Sequence, residues 1–365
     1  MQDLYLKNIV SPKNNTKQQK LIIQQKINSI LLSKQKSKNM KILRPINVIF
    51  TALIQVLMYW CVVVPTLTTF GVVSSTPTWV VLCAIVGTAL ICAGGYVIND
   101  YFDVKIDRIN RPNDVIVTNS MSKAEAMRLY QVVSGIGIVS GLVAAVYLRS
   151  VTLGMIYVIV PGMLWFYSST YKRQLIVGNL IVALSAGLVP MVPMFVETAA
   201  LNAKYGALLH QTPILKTIYG WVCAFALFSF LFTFIREAIK DLQDEPGDRE
   251  YECHTMAVVW GENITRMVIT ALIILTNIVL GYFVYALVPF EGTLTSRYFL
   301  FGIAVPSLCL IGLLWSKSCT AYANAASLCK FIMLIGTLYA LIYHYLLAAT
   351  YHIPMFGIFN IIHNS

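Results

Sequence analysis

Long apolar stretches recur along the chain, and short polar segments separate them. Nine stretches are close to or longer than 18 residues, enough for a helix to cross the roughly 30 Å of hydrocarbon in a bilayer. Because hydrocarbon offers the backbone no hydrogen-bond partner, each crossing segment must be helical, and the alternating pattern of a transmembrane barrel strand is not seen. The predicted spans are 46–68, 78–98, 126–147, 151–170, 177–196, 217–235, 267–289, 298–316 and 324–348.

The composition supports a membrane protein. Hydrophobic residues make up 58% of the 365 residues and charged residues only 12%, far from the balance of a soluble globular domain. The eight cysteines are scattered, mostly inside apolar spans, without the paired spacing of a metal site, so we predict no disulfide framework. The sequence therefore predicts an all-α membrane protein with nine transmembrane helices.

Basic residues gather on one predicted side of the membrane. Residues 1–45 hold ten of the 27 Lys and Arg side chains but one acid, Asp3. The loops on the same side are also rich in Lys and Arg, whereas the opposite loops hold four such residues. The positive-inside rule then predicts a cytoplasmic N-terminus and, with nine spans, a C-terminus on the other side. We expect an integral protein of a bacterial-type inner membrane.

Most acidic side chains fall in two short segments at the ends of predicted spans. Of sixteen Asp and Glu residues, five lie in 100–125 and eight in 237–262. The spacing i, i+3 and i+7 occurs in Asp100, Asp103 and Asp107 and again in Asp241, Asp244 and Asp248. On a helix, residues so spaced share one face, where like charges repel unless a cation neutralises them. Carboxylates without a His or Cys set suit a hard cation such as Mg²⁺.

Basic residues are interleaved with these acids. They are Lys105, Arg108 and Arg111 in the first segment and Arg236, Lys240 and Arg249 in the second. Guanidinium and ammonium groups beside metal-binding carboxylates suit a diphosphate bridged by metal ions. Two other interpretations stay open. The acids could be solvated helix ends neutralised by their own Lys and Arg, or the site of a cation transporter, although a transporter favours acids in the middle of a span.

Several motifs occur in a fixed order along the chain. The segment from Asn99 to Asp107 reads NDxxDxxxD, and Asp244 and Asp248 form a second aspartate motif. The flanking pieces are Arg44-Pro45, YSSTYKR at 167–173 with Gly178-Asn179, and TMAVVWGE at 255–262. Together these motifs resemble the UbiA superfamily of intramembrane prenyltransferases, over about residues 40–350.

The resemblance implies a UbiA-type bundle of nine helices in which both aspartate motifs face a central cavity under a cytoplasmic cap. It also implies that Mg²⁺ holds a prenyl diphosphate donor there, with the prenyl tail in an apolar tunnel open to membrane lipids. The catalytic and metal-binding residues would be Asp100, Asp103, Asp107, Asp244 and Asp248. The substrate-binding residues would be Asn99, Arg108, Tyr167, Lys172, Arg236, Lys240 and Asp241.

The resemblance favours one class of acceptor substrate but leaves a second class open. The stretch REAIKDLQDEPGD at 236–248 most resembles the branch that transfers geranylgeranyl to geranylgeranylglycerol phosphate. Relatives that prenylate 4-hydroxybenzoate, a naphthoate or homogentisate share both motifs, so an aromatic acceptor stays an alternative to a lipid phosphate. Asp114 stands where relatives often carry an Arg, which removes one expected basic contact. We expect no nucleic-acid partner and leave the oligomeric state open.

The extent of the resemblance predicts the domain organisation. A UbiA-like transmembrane domain would occupy residues 40–350. A basic extension, flexible or lying on the membrane surface, would precede it at 1–39, and a short tail would follow at 351–365.

Overall fold

The computed structural model describes residues 40–316 and 319–356. Within these ranges, nine helices are long and apolar enough to cross a membrane, which confirms the predicted fold class. They are α1 (Lys41–Thr69), α2 (Thr78–Asn110), α3 (Lys123–Tyr147), α4 (Val151–Ser169), α5 (Val177–Tyr205), α6 (Ile214–Glu250), α7 (Met256–Leu287), α8 (Leu294–Trp315) and α9 (Thr320–Tyr351). The predicted basic extension at 1–39 lies outside the described residues.

The helices α2 and α6 extend well beyond the apolar runs from which they were predicted. Those runs end at residues 98 and 235, whereas α2 continues to Asn110 and α6 to Glu250. Helical hydrogen bonds form as readily in a polar setting, so hydropathy marks the edge of the membrane and not the end of the helix. All six aspartates of the two motifs therefore lie on helix, as their spacing predicts.

Glycines bring α2 and α3 into close contact. A Cβ atom added at Gly87 on α2 would lie 2.9 Å from both the carbonyl oxygen of Gly137 and the amide nitrogen of Gly141 on α3. The next layer is as tight, because a Cβ at Gly141 would lie 2.1 Å from the ring of Tyr157 on α4. Close backbone approach strengthens the packing between helices in a bilayer. It fixes the helix that carries the first aspartate motif.

The second aspartate motif is carried by α6, which packs against α5, α7 and α9. Its buried side chains include Phe232, Ile235 and Ile239, which belong to one continuous apolar cluster. On the α5 side, Gly187 lets the backbones approach, since a Cβ there would lie 3.3 Å from the carbonyl oxygen of Ala226. The helix is thus held on several sides before it emerges into the polar segment.

A buried acid fixes the opposite end of the bundle. Glu197 on α5 is 1% exposed, and its carboxylate accepts hydrogen bonds from the Tyr59 hydroxyl at 2.9 Å, the Ser74 hydroxyl at 2.9 Å and the Ser75 amide at 2.8 Å. A buried carboxylate is tolerated when its oxygens are satisfied in this way. Glu197 therefore holds the α1–α2 loop against α5, far from the two aspartate motifs.

We predict that Gly141→Ala destabilises the protein whereas Gly135→Ala on the same helix does not. The new methyl group at 141 meets the Tyr157 ring, and overpacking of this kind costs about 1–3 kcal/mol. Nothing lies within 4 Å of a Cβ at Gly135, where Ala also favours the helix. Thermal unfolding of both variants in detergent measures the difference, and equal midpoints would contradict the close packing.

Candidate active site

The polar ends of α2 and α6 are joined side by side. The Asn110 side chain donates to the carbonyl oxygen of Asp244 at 2.9 Å and accepts from the amide of Gly247 at 2.9 Å. A Cβ at Gly247 would lie within 2.6–2.8 Å of the Asn110 amide, so only glycine allows this approach. The preceding Pro246 lacks an amide hydrogen, so one backbone hydrogen bond of α6 is missing here. One amide side chain thus sets the spacing of the two motifs.

A salt bridge next to Asn110 crosses from α2 to α6. Arg111 Nη2 contacts both carboxylate oxygens of Asp244, one of them at 2.6 Å. Burial would lower the pKa of Arg111, but the Asp244 carboxylate outweighs it and leaves the pKa above its ordinary value. Arg111 therefore stays charged throughout the physiological pH range.

The central aspartate of the first motif pairs with a lysine from another loop. Asp103 is 4% exposed and forms a salt bridge with Lys172, in the turn between α4 and α5. Asn99 donates to the same Asp103 oxygen at 2.7 Å, and its own amide oxygen lies 3.4 Å from Lys172 Nζ. Burial would lower the pKa of Lys172, but Asp103 outweighs it and raises the pKa above its usual value.

Asp100 is neutralised from the start of α1. Arg44 Nη2 lies 2.7 Å from Asp100 Oδ1, and its guanidinium stacks over the Tyr96 ring, 4.8 Å from the centroid. Arg44 adopts a left-handed backbone conformation (φ 47°), which is uncommon for a residue other than glycine. The following Pro45 disfavours right-handed helix at this position, which agrees with the break at Arg44 between the turn Lys41–Leu43 and the helix that starts at Pro45.

The other two metal-binding candidates lie near this network. Asp107 is half-buried and interacts electrostatically with Asp103, Lys172 and Arg111, while the buried Asp248 interacts with Lys172 and Asp103. The structure therefore brings carboxylates of both motifs around Lys172. Across residues 40–316 and 319–356, no three acid, His or Cys side chains are gathered closely enough to form a ready metal site. Each of Asp100, Asp103 and Asp244 is instead paired with a cation from another element.

Further along α6 the acids have different partners. Asp241 accepts a hydrogen bond of 2.7 Å from Asn179, near the start of α5. Glu237 is buried and accepts from both Arg236 at 2.6 Å and Lys240 at 2.8 Å. The acids at 237, 241, 244 and 248 share one face of α6, because they are three or four residues apart.

The loops beside the site are tied together. The His254 amide donates to the carbonyl oxygen of Arg173 at 2.8 Å, joining the α6–α7 loop to the α4–α5 turn. At Gly178 a Cβ would lie 2.9 Å from Lys172 Cα, so this glycine lets α5 begin directly against the turn. These contacts fix the backbone that carries Lys172. A cytoplasmic cap stays a prediction, since the side of the membrane is not established.

Two predicted arginines lie away from this network, whereas Tyr167 lies beside it. Arg108, near the end of α2, is exposed and donates to Thr118 in the following α2–α3 loop at 3.1 Å. Arg249 is exposed and pairs with Glu245 one turn earlier on α6. Tyr167 is half-buried near the end of α4 and lies within electrostatic range of Lys172. Sequence spacing predicts where a residue lies on a helix but not where a long side chain points. The contacts of Arg108 and Arg249 could therefore not be predicted.

Four residues of the site had no role predicted from the sequence. They are Arg44, Asn110, Asn179 and Glu237. Arg44 and Asn179 lie in the motifs that carried the family resemblance, but neither sits near the aspartates along the chain. Asn110 comes soon after the first motif. Its position at a helix end, just before Arg111-Pro112, is the one feature of the sequence that could have indicated its role. Glu237 lies between Arg236 and the aspartates, where its contacts depend on packing.

The sequence matches the UbiA prenyltransferase family over residues 60–335. The chain belongs to this family. The family resemblance is therefore confirmed, and the protein is a prenyltransferase, an enzyme and not the cation transporter considered as an alternative. Its integral membrane location agrees with the nine apolar helices among the described residues.

Similar sequences include several archaeal proteins named digeranylgeranylglyceryl phosphate synthase. The protein from Sulfurisphaera tokodaii is 30% identical over 58% of this chain and 70% of its own length. Those from Sulfolobus acidocaldarius and Metallosphaera sedula are 30% and 32% identical, covering 68% and 59% of this chain and 80% and 71% of their own. Archaeal relatives lend no support to a bacterial-type membrane, and the cytoplasmic N-terminus stays a prediction.

Solved structures share the fold. A structure of a digeranylgeranylglyceryl phosphate synthase aligns with a TM-score of 0.53 at 22% identity, covering 85% of this chain and 99% of that one. A UbiA homolog from Archaeoglobus fulgidus, bound to GPP and Mg²⁺, aligns with a TM-score of 0.54 at 15% identity, covering 83% and 99%. At these identities the likeness supports the UbiA fold alone.

We predict that Asn110→Ala lowers transferase activity at least tenfold while the protein stays folded. The variant loses both hydrogen bonds between the ends of α2 and α6, and small displacements of reacting groups are costly in rate. Asn113→Ala, at an exposed position in the same loop, is the matched control. Turnover of a prenyl diphosphate and thermal unfolding are measured together. Normal turnover of Asn110→Ala would contradict the role assigned to this side chain.

Proposed function

We propose that the protein transfers a geranylgeranyl group from a prenyl diphosphate to the free hydroxyl of geranylgeranylglycerol phosphate. The observation that carries this proposal is the pair of acidic helix ends held side by side, with Lys172 and Arg111 set among their carboxylates. Carboxylates alone suit a cation, whereas interleaved carboxylates and cations suit a cation together with an anion of several charges. A prenyl diphosphate with divalent metal has that composition.

The carboxylates fit Mg²⁺ by their chemistry, since they offer hard oxygen ligands without His or Cys. The residues that would hold it are Asp100, Asp103, Asp107, Asp244 and Asp248. When bound, Mg²⁺ neutralises charge on the departing diphosphate. The A. fulgidus homolog with GPP and Mg²⁺ supports this choice of donor and metal.

The cations of the site would bind the donor. Lys172 and Arg111 remain charged, and each already lies against a carboxylate proposed to bind metal, so each can contact a diphosphate held there. Asn99 would hold Asp103 and Lys172 in register. Tyr167 would line the site beside Lys172. Arg108 is left out of the proposal because it is exposed and bonded to Thr118.

The reaction exchanges one carbon–oxygen bond for another. The bond between the allylic carbon and the diphosphate oxygen breaks, and the acceptor hydroxyl oxygen forms an ether bond to that carbon. The hydroxyl proton passes to the released diphosphate or to water. Positive side chains fixed before the reaction stabilise the negative charge that grows on the leaving group, and this lowers the barrier.

The choice of acceptor rests on two lines of support. The similar archaeal proteins are named for the synthesis of digeranylgeranylglyceryl phosphate. The site also holds cations beyond those at the diphosphate, on α6 at Arg236 and Lys240. An aromatic acid brings one negative charge, whereas a glycerol phosphate brings nearly two and therefore needs additional cations of this kind.

We predict that Asp103→Asn and Asp244→Asn each lower the rate of transfer by on the order of a hundredfold or more. Each substitution removes a charged Mg²⁺ ligand, and the metal would then stabilise the leaving diphosphate less well. Asp114→Asn, at an exposed position in the α2–α3 loop, is the charge-matched control and should keep its activity. Mg²⁺ titrations of labelled product formation provide the measurement. Activity that persists in excess EDTA would refute the metal assignment.

We also predict the acceptor. Purified protein supplied with geranylgeranyl diphosphate and a panel of acceptors should alkylate geranylgeranylglycerol phosphate, because only this acceptor matches the additional positive charge. Mass spectrometry of the products decides between the acceptors. Prenylated 4-hydroxybenzoate or dihydroxynaphthoate as the sole product would overturn the lipid acceptor and leave the prenyltransferase assignment intact.

A further inference from the structure

A second group of charged side chains lies on α6, set back from the aspartate motif into the apolar part of the helix. Both oxygens of the buried Glu237 carboxylate are used, one by Arg236 Nη1 at 2.6 Å and the other by Lys240 Nζ at 2.8 Å. One carboxylate therefore fixes two cations and can balance only one. Within the described part of the chain, the buried Nε of Arg236 has no hydrogen-bond partner. A strong donor is thus available to a further acceptor group.

Two more cations approach this pair from other helices. Lys330 on α9 is exposed, and its ammonium interacts electrostatically with Arg236, Lys240 and Arg44. Lys330 Nζ donates to the amide oxygen of Asn47 on α1 at 3.4 Å. In residues 40–316 and 319–356, no carboxylate lies within salt-bridge distance of Lys330.

The charges of this cluster do not cancel. Four cations from α1, α6 and α9 face three carboxylates: Glu237, the Asp100 that pairs with Arg44, and Asp241, which interacts electrostatically with Lys240. A surplus of positive charge beside hydrocarbon is costly unless an anion balances it. A phosphate monoester carries about 1.5 to 2 negative charges at neutral pH and offers three acceptor oxygens.

The α6 and α9 cations of the cluster are set back from the proposed diphosphate site, which the cluster adjoins at the Arg44–Asp100 pair. Arg236 precedes Asp244 by eight residues, which is about 12 Å along the helix axis at about 1.5 Å per residue. An anion at Arg236 would therefore lie further along α6 towards its apolar part than a diphosphate held at Asp244. Because Lys330 meets Asn47, the cluster also lies at the contact between α9 and α1. A headgroup that enters from the bilayer can reach an exposed lysine in that position.

We propose that Arg236, Lys240 and Lys330 form a binding site for the phosphate monoester of the acceptor lipid. Glu237 is a positioning residue, which holds Arg236 and Lys240 and leaves their remaining donors for the phosphate. The site deepens the proposed function, on which it rests for the identity of the lipid as a substrate. It places the acceptor phosphate deeper than the diphosphate, so that the neighbouring hydroxyl can face the allylic carbon.

The test is equilibrium binding without donor or Mg²⁺. Oleoyl lysophosphatidic acid, a phosphate monoester with a free hydroxyl, is compared with monoolein, which has the same chain and glycerol but no phosphate. The first should bind at least tenfold more tightly, because only its phosphate accepts ionic hydrogen bonds from the site, and about 1.4 kcal/mol corresponds to tenfold. Equal binding of the two lipids would overturn the site.

Variants locate the effect. Lys330→Gln and Arg236→Gln should each remove about tenfold or more of the preference for phosphate, and Lys330→Arg should retain it. Lys216→Gln, at an exposed position at the start of α6, is the matched control with the same loss of charge. Glu237→Asp, which keeps the negative charge but shortens its reach to Arg236 and Lys240, should weaken the preference although Lys330 is unchanged. An unchanged preference in Lys330→Gln, in protein with a normal thermal midpoint, would overturn the proposal.

Two further measurements separate the possible outcomes. Inorganic phosphate alone should bind far more weakly than the lipid, and equal affinity would overturn a lipid headgroup as the ligand. In turnover assays, Lys330→Gln should raise the KM for the acceptor and leave the KM for the donor unchanged. Because the binding assay contains no donor, preferential binding without transfer would count against the proposed function alone, and transfer without preferential binding would count against this site alone.

Discussion

The repulsion among carboxylates is the constraint on which the rest of the structure depends. Two helices each place three aspartates on one face, and their ends are brought together. Without cations this arrangement would drive the helices apart, since like charges at such spacing repel and burial makes the repulsion stronger. The chain neutralises the acids with Arg44 from α1, Lys172 from the α4–α5 turn and Arg111 from the end of α2. Each cation comes from an element that the fold must first position.

The packing of the helices follows from this requirement. Glycines bring α2 and α3 within backbone contact, and Gly178 and Gly247 let a turn and a helix end approach their partners at the site itself. At the start of α1, Arg44 adopts a left-handed backbone conformation and forms a salt bridge with Asp100. These features lie at the polar ends of the helices, where hydrocarbon no longer forces regular structure. Apolar packing holds the helices together, and residues such as Gly178, Gly247 and Arg44 determine where the charged side chains lie.

The sequence was sufficient for the fold class and for most of the acidic site. Nine spans follow from hydropathy because the bilayer restricts the backbone to helices, and the i, i+3, i+7 spacing correctly places three aspartates on one helical face. The predicted spans 78–98 and 217–235 are shorter than α2 and α6, because hydropathy ends where charge begins. The direction of Arg108 could not be predicted, nor could the contacts of Asn110 and Glu237, since these depend on which helices meet. Pairing across more than 130 residues, as between Arg111 and Asp244, leaves no local signal.

The order of charges along α6 links the fold to the chemistry. Starting from the aspartate end, Asp248 and Asp244 face α2 and Lys172, Asp241 is held by Asn179, and Glu237 holds two cations. Negative character therefore dominates at the polar end of the helix, and positive character increases towards the membrane. In the proposed reaction, the departing diphosphate would lie at the aspartate end and the phosphate of the acceptor lipid nearer to Arg236 and Lys240. This order of charges along one helix would hold the two anionic groups apart, with the allylic carbon and the acceptor hydroxyl between them.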